Sequence, residues 1–411
     1  MRPRPSRSLL PHYLAALCAL AIAYASLQPF APWIAPEPGT RFFLFAPWPA
    51  RWARFDFVAN MLAYLPFGFF VALVPRRRPL AGRLSVAVAG GAALSFAMET
   101  AQMFTPPRDA SVVDLVANTA GALAGGALAA AVAQSPRAWR TLGHVRERWF
   151  LPGRAGDLGI ALLAIWLAVQ VNPGIPLFAI MYDPTPQLGP VAAHVAAPPD
   201  LAATLVEAAH SAFQLLGVGL FLALLLRERR FVGGAVFVLI GLALLVKGTA
   251  AATLLKPDAW GHWLSPGVST GVGAGALALL VAIWLPRPVQ VALAAVALLS
   301  SLMATLLAPD LVFARAPLSL FSWSYGHLLN FNGLTHTVLL LWPIVASALL
   351  FALAGRPDWG RPEEEGAACG CTCARQGAKP AMRLLWRGRG SCNDRRAQPW
   401  VRMKRAKGKP S

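Results

Sequence analysis

Charged side chains are scarce in this chain, at 13% of 411 residues against about 25% in ordinary soluble domains. That shortage excludes a conventional water-exposed globular surface. Acids are scarcer still, 18 Asp and Glu against 37 Lys and Arg. Cysteine is confined to Cys18 in the first apolar run and to Cys369, Cys371, Cys373 and Cys392 near the C-terminus, so no disulfide framework is implied. The run Cys369-Gly-Cys371-Thr-Cys373 lacks the C-x-x-C spacing of zinc sites, and neither a metal nor a cofactor is expected. A phosphate-cradling loop and an H-E-x-x-H helix are absent, and no nucleophile elbow is expected, which argues against ordinary soluble enzymology.

In place of charge there are long apolar runs. Hydrophobic residues make up 56% of the chain, and stretches of about 18 or more recur, the length that crosses a hydrocarbon slab as a helix. Ten such spans are expected, near 9–30, 56–75, 83–105, 111–133, 157–180, 204–226, 231–254, 266–285, 288–308 and 332–354. The fold class is therefore all-α, a polytopic transmembrane helical bundle, since only helices satisfy every backbone polar group within one segment in lipid. The first span is read as a retained helix, because it exceeds the core of a cleaved secretory signal.

Arginines concentrate in alternate connections, which places both termini and the 134–156 connection on the cytoplasmic side of a bacterial cytoplasmic membrane. The expected organisation is a four-helix transmembrane domain at 1–135, a cytoplasmic linker at 136–156, a six-helix transmembrane domain at 157–355 and a disordered basic cytoplasmic tail at 356–411. The formal net charge of +19 sits in loops and in that tail, so the expected partners are membrane lipids and not nucleic acid.

Ionisable groups inside apolar helices are costly and therefore informative. Asp56 has Asn60 one helical turn away, Glu99 has Gln102, and Asp114 has Asn118, so each of helices two to four carries one polar stripe. The topology puts all three pairs toward the outer leaflet, with Arg108 in the Pro106-Pro107-Arg108-Asp109 hairpin as the natural bidentate partner of the carboxylates. One reading is a buried network that only fixes helix packing; the other is an outward-facing polar pocket for a headgroup, sugar or peptide. Gly121 and Gly125 continue the Asp114 stripe at a spacing that lets a neighbouring backbone approach closely.

These residues carry a family resemblance. The stretch Asp56-Phe-Val-Ala-Asn60-Met-Leu-Ala-Tyr-Leu-Pro66-Phe-Gly68, followed by Glu99-Thr-Ala-Gln102, Arg108 and Asp114-Leu-Val-Ala-Asn118-Thr-Ala-Gly121 with Gly125, resembles the VanZ-like membrane family in order and spacing. The resemblance covers about residues 10–133. Ser111 stands where many relatives have a further acid, and the later six helices lie outside the named domain. The resemblance implies a role in cell-envelope physiology: the family's namesake is associated with low-level resistance to teicoplanin, which acts on wall precursors outside the membrane. It nominates Asp56, Asn60, Glu99, Gln102, Arg108, Asp114 and Asn118 as a ligand-binding or structural polar network, with Pro66, Gly68, Gly121 and Gly125 in helix packing.

In the second half Glu207, His210 and Gln214 share one stripe, and Lys247 lies in the outer third of its span. The structural reading has Lys247 snorkelling outward or pairing with Glu207; the sharper one is a proton-linked or anionic path lined by Glu207, His210 and Lys247. The leading expectation is a non-enzymatic membrane protein that binds or modulates an envelope component, such as a lipid-linked precursor, glycolipid or glycopeptide. The alternatives are a transporter or lipid flippase, and an intramembrane lipid-active enzyme with Glu99 or Asp114 as general base.

Overall fold

The computed structural model describes residues 8–28, 30–49, 52–75, 78–105, 109–175, 177, 199–261, 263–307, 321–322 and 326–356. Arg108 and the basic tail beyond residue 356 lie outside the described residues. The described residues form eleven α-helices and no β-strand: α1 Leu10–Leu27, α2 Arg54–Leu73, α3 Leu80–Gln102, α4 Val112–Gln134, α5 Pro136–Trp149, α6 Gly153–Val169, α7 Pro199–Leu225, α8 Val232–Leu254, α9 Pro266–Ala282, α10 Arg287–Leu307 and α11 Gly326–Ala354. Among the described residues seven helices are long and apolar enough to cross a bilayer, namely α1 to α4, α7, α8 and α11. Pro266–Ala282 and Arg287–Ser300 are apolar but shorter.

Local chemistry sets the breaks. Ser111, Ser135 and Ser265 each accept a backbone N–H with their hydroxyl at a helix start, and Pro136 and Pro266 follow two of them, where a missing N–H costs nothing. One expectation is corrected. The span placed at 157–180 begins at Gly153 and ends at Val169, because Asn172-Pro173-Gly174 opposes helical continuation. The stretch placed as a linker, 136–156, contains the fourteen-residue helix α5 and the start of α6.

The first four helices pack through α2 against α4 and α3 against α4, with α1 covering α2 and α3. A side chain on Gly121 would meet the Met61 carbonyl, one on Gly125 the Leu65 carbonyl, and one on Gly68 the Ala122 backbone. Only glycine permits this backbone-to-backbone approach of α2 and α4. Later in the chain α7 is central, packed on α9 and α10 and touched by α6, α8 and α11. Its core is bulky: Trp166, Leu220, Phe221, Leu298 and Trp342 are nearly inaccessible, and the Phe221 and Trp342 rings meet edge-on at 5.4 Å. A glycine stripe also serves here, since Gly271 and Gly275 of α9 lie against the backbone of Ala208 and Ala212.

α1 belongs to both assemblies. Its start is held by Asp157 of α6, whose carboxylate accepts the Ser8 hydroxyl at 3.0 Å and the Leu9 N–H at 2.7 Å. Toward its other end the Tyr24 hydroxyl lies 2.8 Å from Thr337 Oγ1 of α11 and donates to the Gly333 carbonyl at 3.3 Å.

Candidate functional site

The polar residues of the first four helices gather at one rim. α1 ends there at Leu27 and α3 at Gln102, while α2 and α4 begin there at Arg54 and Val112. Hydrogen bonds tie the four ends together. Asn60 Nδ2 donates to Asp114 Oδ1 at 2.7 Å, joining α2 to α4. The Ser111 N–H at the head of α4 donates to Glu99 Oε2 at 2.8 Å, joining α4 to α3. Gln102 Nε2 donates to the Ser26 carbonyl at 2.9 Å, joining α3 to α1. One turn deeper, Asn118 Nδ2 donates to Ser95 Oγ at 2.9 Å.

The electrostatics follow from the helix ends. Glu99 is only 3% exposed, yet it sits against the amino terminus of α4, where unsatisfied N–H groups carry the positive end of the helix dipole. Asp114 stands in the first turn of the same helix. Such placement stabilises an anion by about 0.3–1 kcal/mol, and up to about 2 when partly buried. Asp56 likewise lies in the first turn of α2, half-buried. The expected Arg108 contact lies outside the described residues.

Two features of this rim bear on access to it. Asp56, Asn60, Gln102 and Asp114 are only partly buried. Asn118 is 5% exposed, and its Oδ1 has no hydrogen-bond partner among the described residues; a buried carbonyl oxygen left open costs about 1–3 kcal/mol. Tyr64 and Ser95, neither singled out from the sequence, are buried beside these groups, with the Tyr64 hydroxyl within electrostatic range of Glu99 and Asp114. The spacing Gly91, Ser95, Glu99 along α3 was the available signal for Ser95. Pro66 is exposed on α2, so the contact with α4 passes through Gly68 instead.

The second-half candidates do not form one constellation. Lys247 is fully buried and donates to the carbonyls of Asn172 at 2.9 Å and Ile175 at 2.7 Å, just beyond the end of α6. Of the two structural readings, snorkelling outward or pairing with Glu207, neither is seen among the described residues: the ammonium is buried and holds the irregular chain after Val169, close to the negative end of the α6 dipole. Asn172 completes that knot by donating to Asn332 Oδ1 at 2.7 Å and to Thr335 Oγ1 at 2.9 Å. Glu207 is half-buried against Gly267 of α9, and His210 is 1% exposed within α7. Gly267-Val-Ser269-Thr-Gly271 has the letters of a nucleophile elbow, but it lies inside α9 with the Ser269 hydroxyl donating to the Pro266 carbonyl, so the strand-to-helix turn that exposes such a serine is missing.

Asp157 is the other residue whose importance the sequence concealed. It is 1% exposed and receives the Arg146 guanidinium at 2.6 and 2.8 Å in addition to Ser8 and Leu9.

Comparison with curated proteins and with solved structures finds no match to the chain. A family comparison does find one, and it coincides with the helices that build the rim. Residues 13–133, from within α1 almost to the end of α4, are similar to the VanZ/LLP1 family, a match that covers less than a third of the chain.

Proposed function

We propose that the rim formed by α1 to α4 binds the polar head of a cell-envelope component, a lipid-linked precursor, glycolipid or glycopeptide, from the extracytoplasmic side. On this reading the chain acts as a binder or modulator and not as a catalyst. The observation that carries it is the open Oδ1 of Asn118, buried at the base of a cluster whose upper members Asn60, Asp114 and Gln102 are partly accessible. An incoming hydroxyl or amide N–H would satisfy that oxygen, while the carboxylates above it accept further donors from a sugar or peptide. The concentration of Lys and Arg at the other helix ends supports the extracytoplasmic placement. The VanZ-like match supports an envelope role.

Mass spectrometry of lipids carried by gently purified protein tests this reading. A polar-headed envelope lipid is expected on the unaltered chain and on Gly248→Ala, which meets open space in α8, away from the rim. It should be lost from Asn118→Leu, which keeps the volume and removes the open oxygen. Equal retention by both variants would reject the site.

A further inference from the structure

The end of the molecule opposite the carboxylate rim carries a different surface. Helix α4 separates the two by 23 residues, about 34 Å at 1.5 Å per residue. There α5 is amphipathic along its whole length. Trp139, Leu142, Val145 and Trp149 recur on one face, and Arg137, Arg140, His144 and Arg148 occupy the other. None of its residues is buried, and Leu142 is 55% exposed.

This helix is anchored, not loose. Arg146 bonds Asp157 and the Leu151 carbonyl, the Trp149 ring stacks on Phe231 at 5.1 Å, and the Arg227 backbone N–H donates to the Trp149 carbonyl at 2.8 Å. The anchoring brings the Arg227, Arg229 and Arg230 turn alongside α5, and Arg229 reaches the carbonyls that precede Arg287. Against this group stand Glu147 and Glu228, of which Glu228 is paired with Arg230.

We propose that α5 and the 226–231 turn form an interfacial surface that binds anionic phospholipid, with the Trp139 and Leu142 face among acyl chains and the arginines on headgroup phosphates. Three observations fix the occupant. The surface continues directly from the ends of membrane-crossing helices, α4 before it and α7 and α8 beside it. The apolar side left uncovered at Trp139 and Leu142 and the cationic side are satisfied together only at a headgroup boundary. Its net charge complements phosphate, which planar guanidinium groups grip bidentately.

Site-directed spin labels on the full chain, with its five native cysteines replaced by serine, test this in phosphatidylglycerol vesicles. A label at Leu142→Cys should collide more with oxygen than with a water-soluble nickel chelate, and one at His144→Cys should show the reverse. Arg137→Gln, Arg140→Gln and Arg148→Gln together should lower the preference of the protein for phosphatidylglycerol over phosphatidylcholine, counted by native mass spectrometry, by at least about fivefold, the weight of one surface arginine. Lysine at the same three positions should restore most of it. Two labels with the same accessibility, or a preference unchanged by the three glutamines, would overturn the proposal.

Discussion

Glu99 in the first four helices and Lys247 in the later ones are both buried and of opposite charge, and the backbone meets each in a complementary way. The carboxylate accepts an N–H at the positive start of α4, and the ammonium donates to two carbonyls just past the negative end of α6. The surroundings differ. Around the carboxylates α2 and α4 touch through glycine and alanine, which fixes the backbones at minimal separation and leaves the polar groups on a rigid, partly open rim. In the later helices bulky Leu, Phe and Trp side chains fill the core, and Lys247 is fully engaged in holding a non-helical stretch. Buried open acceptors occur in both parts, at Asn118 and at Gln170 and Ser211, and what sets the rim apart is the partial accessibility of Asn60, Gln102 and Asp114 around Asn118.

The comparison is most easily broken at the glycines. Gly125→Val would drive a side chain into the Leu65 carbonyl, so α2 and α4 must separate, at a cost of about 3 kcal/mol or more. Gly248→Val in α8 meets open space and should cost less than about 1 kcal/mol. Thermal unfolding of both variants in detergent checks this, and equal losses would mean that close backbone approach is not what holds the first four helices. Asp157→Ala comes next. It strands Arg146 and frees the start of α1, with an expected loss of about 2–3 kcal/mol by the same measurement. Because Asp157 ties α1 to α6, this variant should also speed proteolysis near Ser8, an effect that Gly125→Val need not share. Lys247→Met is smaller, about 1–2 kcal/mol, because it leaves the Asn172 and Ile175 carbonyls open without stranding a charge.

Much of this architecture is legible in the residues, for identifiable reasons. A run of apolar residues long enough to cross lipid has few alternatives to a helix, so each of the expected spans overlaps one, and seven have the length and composition to cross. Charge counted without periodicity hides the helix inside the 136–156 linker. α5 looks like a loop when its arginines are counted, and like an amphipathic helix when Trp139, Leu142, Val145 and Trp149 are placed on a wheel. Pro173 marked the end of α6 in the same plain way. The polar pairs Asn60 with Asp114 and Asn118 with Ser95 were not readable as pairs, because spacing along one helix gives a face and not the partner opposite it. Lys247 was misassigned for the same reason: backbone carbonyls beyond a helix end leave no signature in a list of side chains.

The smallest expected effect separates the two readings of the rim. Glu99→Gln keeps one oxygen able to accept the Ser111 N–H while it removes the negative charge and turns the other oxygen into a donor, so the interaction with the start of α4 weakens without vanishing. The loss of stability should stay below about 1 kcal/mol, the ordinary weight of a charge at a helix terminus. If the rim only fixes helix packing, every other property of the variant should follow that small change. If the rim binds an envelope component, retention of the lipid should fall far more than stability does, because a neutral amide is a weaker acceptor than a carboxylate for a sugar hydroxyl or a peptide N–H. The ratio of those two effects, measured on one preparation by lipid mass spectrometry and thermal unfolding, distinguishes a binding surface from a structural network even when each effect alone is modest.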